Sequence, residues 1–341
     1  MLSPTDQRII ATADDAIRTK HAAVHAGYYA DDYIDTFFQS CAPSQRQVQP
    51  IIKRGTHARV ACVDRAISSF LAGHQTASKL QIVVVGAGKD TSYFRFRDGS
   101  LMGTESNNAS RECDWYDVDH SLVIEEKARI IGDSETLAPQ YPLKATSHGF
   151  TCTTNDQNYT LIGHDIREDP SVLIKKLNLD ASVPTLFLTE CVLMYVPDPD
   201  SKNLLSALST AVKNASVVCY EPILGSDAFG KMMQQNLLQV GVATQDSCLV
   251  RTKTLQSQIE KLVEAGFAKA SGCNMWSAYQ SVVTAEQRQR ANRCEFLDEM
   301  EEWVLIMQHY CFLVGTTDDK DTESSLLSLI PKPPQGFSMN K

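Results

Sequence analysis

The chain lacks the features that mark membrane, secreted and nucleic-acid-binding proteins. Its 341 residues carry a formal net charge of −9, whereas a surface for nucleic acid or anionic lipid needs an excess of basic side chains. No segment approaches the roughly 20 apolar residues of a membrane span, and the N-terminal segment has no apolar stretch of the kind that a secretion signal carries. We therefore expect a cytoplasmic protein that binds neither nucleic acid nor membranes.

Closely spaced cysteines are also missing. The ten cysteines stand singly, and no two have the separation of a zinc-binding pair. Cys191, Cys219 and Cys311 fall in apolar, strand-like segments, where a free cysteine acts as a small hydrophobic residue. Two histidines, His164 and His309, have no ligand partner at a useful spacing. The sequence therefore predicts reduced thiols and no metal site.

The order of apolar patterns predicts an α/β fold. Helical periodicity covers residues 5–40, with a break at Gly27, and returns at 56–73. Strand-like runs follow at 81–85, 115–118, 159–163, 185–189 and 216–220, with helical patterns between them, and two closing strands are expected in AKASGCNMW and HYCFLVGTT. Strands that alternate with helices favour a parallel sheet covered on both faces.

The segment LQIVVVGAGKD contains the most informative pattern of the chain. Its strand-like run ends at Gly86-Ala87-Gly88, and an acidic residue, Asp119, closes the next strand-like run, WYDVD. Glycines let a backbone approach a ligand closely, and a carboxylate at a strand end accepts hydrogen bonds from ribose hydroxyls. This order predicts a site for a cofactor that contains a nucleoside.

Two observations bear on the identity of that cofactor. The dinucleotide fingerprint needs a third glycine, but Thr91 stands in its place. The turn is also not followed by the Lys-Ser/Thr pair that binds phosphates in a P-loop. S-adenosylmethionine, which has no phosphates, fits this turn better, while nicotinamide binding stays open on these residues alone.

Several further segments resemble one family, the leucine carboxyl methyltransferases. The matching segments are KHAAVHAGYYADDYI, KRGTHARV, VVVGAGKDTSYFR, YDVDH, LIGHDIRE, PTLFLTECVLMYV, YEPILGSDAFGKMMQQNL and EFLDEMEEWVLIMQHYC. The resemblance spans roughly residues 17–315. The last segment is the most specific, because G-x-G turns and strand-end acids recur across many methyltransferases.

The resemblance implies a fold, a reaction and a partner. The fold is that of a class I S-adenosylmethionine-dependent methyltransferase, Rossmann-like, with a mostly parallel seven-stranded sheet and added N-terminal helices. The reaction is methylation of the C-terminal leucine carboxylate of a protein phosphatase 2A-type catalytic subunit, which gives a methyl ester. The partner is the C-terminal tail of that subunit, and we expect the enzyme to act as a monomer.

Three parts of the chain are expected to fold with different roles. Residues 1–75 form a helical lid that closes over the cofactor. Residues 76–315 form the methyltransferase domain, with a substrate-facing insertion at about 221–255. Residues 316–341 form a flexible tail, and the polar stretch 97–113 is a surface loop.

The resemblance also assigns residues to the site. The predicted cofactor-binding residues are Lys20, Arg59, Gly86, Gly88, Asp119, Asp165, Ile166 and Glu190, and the predicted catalytic residues are Arg59 and Tyr195. Lys20 and Arg59 would face the methionyl end of the cofactor, where cations gain charge-assisted hydrogen bonds to a carboxylate. Arg54 stays open between a place in the site and a place on the surface.

The remaining residues would hold the other parts of the cofactor. Asp119 would accept from the ribose rather than Asp117, because ribose contacts come from the end of a strand. Asp165 and Ile166 would flank the adenine. Glu190 ends an apolar run, where a carboxylate is costly without a partner, and we expect the cofactor's ammonium or sulfonium to be that partner.

No general base is needed for this reaction, because a carboxylate nucleophile is already ionised at neutral pH. Tyr195 lies where the family faces its substrate, although a role as a core aromatic is equally open.

Two other functions remain as alternatives. One is a related carboxyl or O-methyltransferase that acts on a tRNA base or a small molecule, and the other is a non-catalytic module that binds S-adenosylmethionine.

Overall fold

Three helices precede the first strand. The computed structural model describes residues 2–43, 47–101, 112–154, 157–318 and 326–331, and its first helices are Pro4–His25 (α1), Ile34–Phe38 (α2) and Pro50–Gly73 (α3). Ser3 and Asp6 cap α1 reciprocally, which satisfies backbone N–H groups that the helix leaves free. The predicted break at Gly27 is confirmed, since this residue has a φ of 87° just beyond α1.

The helix predicted at 56–73 begins earlier than the sequence suggested. Its first residue is Pro50, six positions before the predicted start. Proline suits the first position of a helix, because its fixed φ matches and its missing N–H would have no partner there. Ile51 at the second position is buried in the core, so packing favours this early start.

One mixed sheet forms the centre of the fold. Its strands are Lys79–Val85 (β1), Glu112–Asp119 (β2), Lys144–Thr146 (β3), Gly149–Thr154 (β4), Gln157–Gly163 (β5), Thr185–Glu190 (β6), Ala215–Pro222 (β7), Lys269–Asn274 (β8) and Tyr310–Thr316 (β9). Their order is β3-β4-β5-β2-β1-β6-β7-β9-β8. The five central strands, β5-β2-β1-β6-β7, run parallel to one another. The four pairings outside them, β3-β4, β4-β5, β7-β9 and β9-β8, are antiparallel.

Among the described residues the sheet therefore has nine strands, and four of its eight pairings are antiparallel. The expectation of a mostly parallel, seven-stranded sheet was wrong. The additional pair is the β3–β4 hairpin, which extends the sheet beyond β5. All three residues of β3 are exposed, so the hairpin lacks the apolar signal on which a strand prediction depends. The seven strands that the sequence did predict are all present.

Helices cover the sheet on both faces. Those after α3 are Ser92–Asp98 (α4), Ser121–Asp133 (α5), Pro170–Leu177 (α6), Asp198–Ala211 (α7), Ala228–Val240 (α8), Cys248–Arg251 (α9), Leu255–Glu264 (α10), Met275–Ser281 (α11), Ala285–Cys294 (α12) and Met300–Gln308 (α13), and single turns lie at Leu193–Tyr195 and Leu327–Leu329. Alternate residues of β1 enter different cores: Ile82 and Val84 pack with α3, and Val83 and Val85 pack with α6 and α7. Among the described residues, no helix combines the length and the apolar character that a bilayer crossing requires.

Two sequence expectations about irregular segments need correction. The predicted loop 97–113 is shorter, because α4 continues to Asp98 and β2 begins at Glu112, and residues 102–111 lie outside the described part. In the predicted flexible tail, Leu326 and Ile330 are buried in the core that contains α3. This part of the tail is therefore packed against the domain, because apolar side chains next to the core gain free energy by burial. Most of the remaining tail lies outside the described residues.

Candidate active site

A cavity of about 370 Å³ lies at the carboxyl ends of the central parallel strands. The strand order reverses between β1 and β6, and in open α/β sheets ligands bind in the crevice at this point. Every residue that the sequence placed in the site borders this cavity: Lys20, Arg59, Gly86, Gly88, Asp119, Asp165, Ile166, Glu190 and Tyr195. The fold thus brings these residues together, while their individual roles remain predictions.

The turn after β1 forms the floor of the cavity. Gly86 and Gly88 have φ values of 71° and 52°, a region that residues with a Cβ rarely adopt. A Cβ on Gly86 would lie 2.2 Å from Cγ2 of Val192, a cavity-lining residue beyond β6. The glycine thus permits both the backbone conformation and the close approach of the neighbouring loop.

Asp119 supports the same turn from the end of β2. Its Oδ2 accepts a hydrogen bond from the backbone N–H of Gly88 (2.7 Å), and its Oδ1 accepts one from the N–H of His120 (2.7 Å). Burial raises the pKa of the Asp119 carboxyl, and the two backbone N–H groups act in the opposite direction. The carboxylate therefore has a fixed orientation at the cavity wall.

Arg59 of α3 and Glu190 of β6 form an ion pair in the cavity wall. Nε of Arg59 donates to Oε2 of Glu190 over 2.6 Å, and Nη2 donates to the backbone carbonyl of Glu190 over 3.3 Å. The guanidinium also lies over the ring of Tyr220, 5.1 Å from its centroid. Burial disfavours the charge on Arg59, but Glu190 outweighs this effect and raises the pKa of Arg59 above its usual value. The protein itself thus supplies a partner for Glu190. From the sequence we expected this partner to be the cofactor.

Lys20 pairs with an acid that was not among the predicted site residues. Its ammonium forms an ion pair with the carboxylate of Asp90, the residue that follows Gly88-Lys89 in the turn. Burial acts to raise the pKa of Asp90, but the charges of Lys20, Lys127 and Arg95 outweigh it and hold the pKa well below its usual range. The acid stands directly after the G-x-G turn, so a signal for it was present in the sequence.

Helix α1 forms one side of the cavity. Ile9, Ala13, Ala16 and Lys20, which border the cavity, repeat at the spacing of one helix face. Ion pairs tie this helix to the loops of the sheet, among them one from Lys89 to Asp14 over 2.6 Å. These contacts place an N-terminal helix over the carboxyl ends of the strands.

A second tie holds α1 near its first turn. Nη1 of Arg167 donates to Asp6 over 2.7 Å, and Nη2 of Arg167 donates to Asp165 over 2.5 Å. Burial acts to raise the pKa of Asp165, but the hydrogen bonds from Arg167 outweigh it, and the pKa is lowered. Arg167 thereby joins α1 to the loop that follows β5, at the edge of the cavity.

Tyr195 lies on a single helical turn after β6 that a buried acid holds in place. Oε1 of Glu221 accepts the backbone N–H groups of Val192 (3.1 Å) and Leu193 (3.0 Å), and Oε2 accepts the N–H of Met194 (3.1 Å). Glu221 is 1% exposed, and burial raises its pKa. Glu221 was not among the predicted site residues, although an acid near the end of an apolar strand is the same signal that indicated Glu190.

Arg54, whose place the sequence left open, and Asp117 lie outside the cavity. Arg54 is buried and donates from Nη2 to the carbonyl of Ala291 over 3.0 Å, so it belongs to the packing between α3 and α12. Asp117 is buried within β2 and pairs with Lys127 over 2.7 Å. Neither residue borders the cavity.

Comparison with known proteins shows the family of the chain. The family model described as leucine carboxyl methyltransferase matches residues 8–209. The chain belongs to the leucine carboxyl methyltransferase family. It is 31% identical to leucine carboxyl methyltransferase 1 of Yarrowia lipolytica over 90% of this chain and 96% of that protein. It is 32% identical to leucine carboxyl methyltransferase 1 of Rattus norvegicus over 91% of this chain and 90% of that protein.

Membership of the leucine carboxyl methyltransferases defines the type of reaction. The chain is a methyltransferase enzyme, and its activity is the S-adenosylmethionine-dependent methylation of a carboxyl group. The matched range contains all the predicted site residues from Lys20 to Tyr195. Among solved structures, a putative methyltransferase from Thermobifida fusca is similar with a TM-score of 0.49 and 11% identity, over 88% of this chain and 93% of that chain.

Proposed function

We propose that the cavity at the carboxyl ends of the strands holds S-adenosylmethionine. Its volume of about 370 Å³ falls in the range of roughly 300–1,000 Å³ that is typical of small-molecule sites. The turn at Gly86 and Gly88 supports this proposal, because its left-handed backbone, with no side chain on either glycine, lets the chain approach a ligand closely. In this proposal the glycine turn, with Asp119 beside it, lies against the adenosyl part, and Asp165 and Ile166 flank the base.

The charged groups support a place for the amino-acid end of the cofactor. An amino acid carries an ammonium and a carboxylate, and Arg59 and Glu190 present a cation and an anion side by side. Both side chains are largely buried, with 18% and 10% of their surfaces exposed, so a charged ligand there meets little competing water. We propose that Arg59 and Lys20 bind the carboxylate and that Glu190 binds the ammonium.

The protein's part in the reaction is to position the reacting groups and to exclude water from them. When bound, the cofactor supplies an electrophilic methyl group on a sulfonium. The acceptor carboxylate needs no base, so the residues around it serve to align it, and alignment can contribute up to about 7–11 kcal/mol. Burial holds the pKa of Tyr195 well above its usual range. We propose that its protonated hydroxyl donates a hydrogen bond to the acceptor carboxylate.

The covering element in this proposal is α1 rather than the whole predicted lid of residues 1–75. Helix α3 contributes many buried side chains to the core beside the sheet and cannot move without exposing them. Helix α1 has only three buried residues, Ile17, Lys20 and Ala23, and its contacts with the cavity loops are largely ionic. We propose that α1 closes over the cofactor and excludes water from it.

The proposed substrate is the C-terminal leucine carboxylate of a protein phosphatase 2A-type catalytic subunit. A leucine side chain has no carboxyl group, so within a protein a leucine carboxyl is the C-terminal one. The region after β7 supports an approach of the substrate's C-terminal tail from this side. Met233 and Leu237 of its helix α8 pack against the same apolar cluster as Tyr195, and Met232 is 53% exposed. All ten cysteines are free thiols, which supports a reducing, cytoplasmic location.

Transfer of a labelled methyl group tests this substrate. The enzyme is incubated with labelled S-adenosylmethionine and a phosphatase catalytic subunit, either intact or without its terminal leucine. We expect label only on the intact subunit, in a base-labile ester. Label on the truncated subunit, or none on the intact one, would contradict the proposed substrate.

A parallel calorimetric titration with S-adenosylmethionine tests the cofactor site separately. Binding without labelling of the intact subunit would contradict the partner and leave the cofactor site standing. The Arg59→Gln variant serves as the control for both measurements, because it removes the cation of the proposed site. We expect it to bind the cofactor weakly and to transfer little label.

A further inference from the structure

Two histidines and an aspartate meet where α1 approaches α2. His21 and His25 lie one turn apart near the end of α1, so their side chains share a helix face. Oδ1 of Asp35, in the first turn of α2, lies 3.0 Å from Nε2 of His21 and 2.7 Å from Nε2 of His25. None of the three borders the cavity of the active site. One potential ligand atom from each residue thus lies within 4.8 Å of the other two.

We propose that His21, His25 and Asp35 form a binding site for a divalent transition-metal ion, and that Zn²⁺ suits it best. Two imidazole nitrogens and one carboxylate oxygen are donors that Zn²⁺ commonly takes in proteins. Three protein ligands leave one position of a tetrahedron for water. The sequence predicted no metal site, because its cysteines stand singly and His164 and His309 have no partner at ligand spacing.

The distances between the donors are close to those of a bound ion. Ligand atoms about 2.0–2.2 Å from a tetrahedral zinc lie roughly 3.3–3.6 Å from one another. The two N–O separations here are 2.7 and 3.0 Å, and all three donor atoms lie within 4.8 Å of one another. Small side-chain rotations therefore suffice. The ring of Phe38 stacks on His21, with 3.7 Å between the ring centroids and an angle of 14°, which limits the rotation of one ligand before any ion binds.

A buried side chain also anchors the link between the two helices. Asp31, in the link between α1 and α2, is buried and accepts hydrogen bonds from the N–H of Tyr33 (3.0 Å) and the hydroxyl of Thr91 (2.5 Å). Thr91 immediately precedes α4, so the link is anchored to the main domain. The fold therefore sets the distance between the histidines and Asp35 without help from an ion.

An ion can reach these side chains from solvent. His25 and Asp35 have exposed side-chain fractions of 55% and 59%. The carboxylate contributes a negative charge, and the carbonyl end of α1 favours a cation nearby.

In the alternative arrangement, without an ion, the two imidazoles donate from Nε2 to the shared carboxylate oxygen. Metal binding instead requires the tautomer with the proton on Nδ1, so that each Nε2 presents a lone pair.

The site lies between α1 and α2, where a bound ion would stabilise the arrangement of the two helices. His21 follows Lys20 directly, and Lys20 contacts Asp90 at the cavity. An ion held between α1 and α2 connects the two helices next to this contact. Because it binds the folded arrangement and not the separated residues, it should raise the melting temperature of the protein.

Cobalt binding tests the proposal on the full chain. Metal-free protein is titrated with Co²⁺, whose visible absorption reports low-coordinate binding and whose near-ultraviolet charge-transfer bands report thiolate ligands. We expect one equivalent to bind with visible bands and without thiolate bands, and we expect Zn²⁺ to displace it. Thiolate bands, or no saturable binding of Co²⁺ or Zn²⁺, would overturn the proposal.

Two variants identify the ligands. His25→Ala and Asp35→Asn each alter an exposed side chain, so both variants should fold. Since even groups that only support a metal ligand are worth roughly 10–100-fold in affinity, each change should weaken Zn²⁺ binding by at least about tenfold and abolish the rise in melting temperature. His148→Ala, which alters an exposed histidine in the β3–β4 turn, should bind like the wild type. Equal binding by all three variants would show that the ion is held elsewhere.

Discussion

Nε of Arg59 donates to the carboxylate of Glu190 over 2.6 Å, although the two residues are 131 positions apart in the chain. Helix α3 brings the cation and strand β6 brings the anion, and both face the cavity. A second hydrogen bond, to the backbone carbonyl of Glu190, fixes the plane of the guanidinium. The pair is therefore set in place by the fold before a ligand with two opposite charges arrives.

The first prediction concerns the geometry of this pair. Arg59→Lys keeps the positive charge but cannot make both hydrogen bonds and still reach a ligand carboxylate. Because a hydrogen bond to a charged group is worth about 1.5–3 kcal/mol, we expect the Kd for S-adenosylmethionine to rise roughly 10- to 100-fold by calorimetry. Arg65→Lys, on the exposed side of the same helix, should leave the Kd unchanged. An unchanged Kd for Arg59→Lys would remove Arg59 from the cofactor site.

The second prediction concerns the glycine turn after β1. In Gly86→Ala the new methyl group meets Val192 at 2.2 Å, at a φ of 71°. The left-handed conformation alone costs roughly 1–2 kcal/mol for a residue with a Cβ, so we expect the free energy of unfolding to fall by more than this. The loop that carries Val192 should also move, which weakens cofactor binding.

Gly55→Ala is the matched control for that substitution. Gly55 lies inside α3, and a Cβ there meets nothing within 4 Å. Alanine is favoured over glycine in a helix by about 1 kcal/mol, so this variant should be more stable than the wild type. Urea unfolding followed by circular dichroism measures both changes. A loss of stability in both variants, or in neither, would contradict the explanation from local geometry.

The sequence predicted the parts of the site that depend on local pattern. The glycine turn and the strand-end acids Asp119 and Glu190 each follow an apolar run, and parallel strands bring such ends to one edge of the sheet. The partners of these groups could not be predicted in the same way. The contact of Glu221 with Leu193 depends on the pairing of β7 with β6, and the register between strands distant in sequence is not visible in either segment.

The same distinction between local patterns and long-range contacts explains why strand β3 and the histidine–aspartate cluster were not predicted. Strand β3 has no buried residue, so backbone pairing rather than an apolar pattern defines it. The spacing of His21 and His25 is a local feature that a search for helix-face pairs could have found. Their approach to Asp35 depends on the turn at Gly27 and on the anchoring of the following link, which are tertiary features.

The third prediction concerns Glu221, which holds the turn before Tyr195. Glu221→Gln leaves one oxygen acceptor where the carboxylate had two, so at least one of the three backbone N–H groups loses its partner. A buried N–H without a partner costs about 1–3 kcal/mol. We expect lower stability and a higher KM for the protein substrate, because the turn that carries Tyr195 loses support.

The Kd for S-adenosylmethionine separates this positioning role from a general loss of folding. Since Glu221 does not border the cavity, its substitution should change the Kd far less than the KM. Glu125→Gln alters an exposed glutamate of α5 and should change neither quantity. Equal losses of cofactor and substrate binding by Glu221→Gln would indicate that the whole site, and not one turn, depends on this acid.

The fourth prediction compares the two acids of β2. Asp117 forms a buried pair with Lys127 and accepts hydrogen bonds from Trp115 Nε1 (2.9 Å) and the hydroxyl of Tyr159 (2.7 Å). Removing one partner of a buried ion pair typically costs about 3–5 kcal/mol. Asp117→Asn should therefore lower the free energy of unfolding strongly, while the folded protein binds S-adenosylmethionine with nearly the wild-type Kd.

Asp119→Asn should show the opposite pattern. Its carboxylate lies at the cavity and orients the N–H of Gly88, and the amide replaces one acceptor oxygen with a donor. We expect the Kd for S-adenosylmethionine to rise roughly tenfold or more, which corresponds to about 1.4 kcal/mol, with a smaller loss of stability than in Asp117→Asn. Calorimetry measures the Kd of both variants, and urea unfolding measures their stability. If Asp117→Asn instead raised the Kd and Asp119→Asn only lowered stability, the ribose would be bound from inside the strand, and the assignment of the strand-end acid would be wrong.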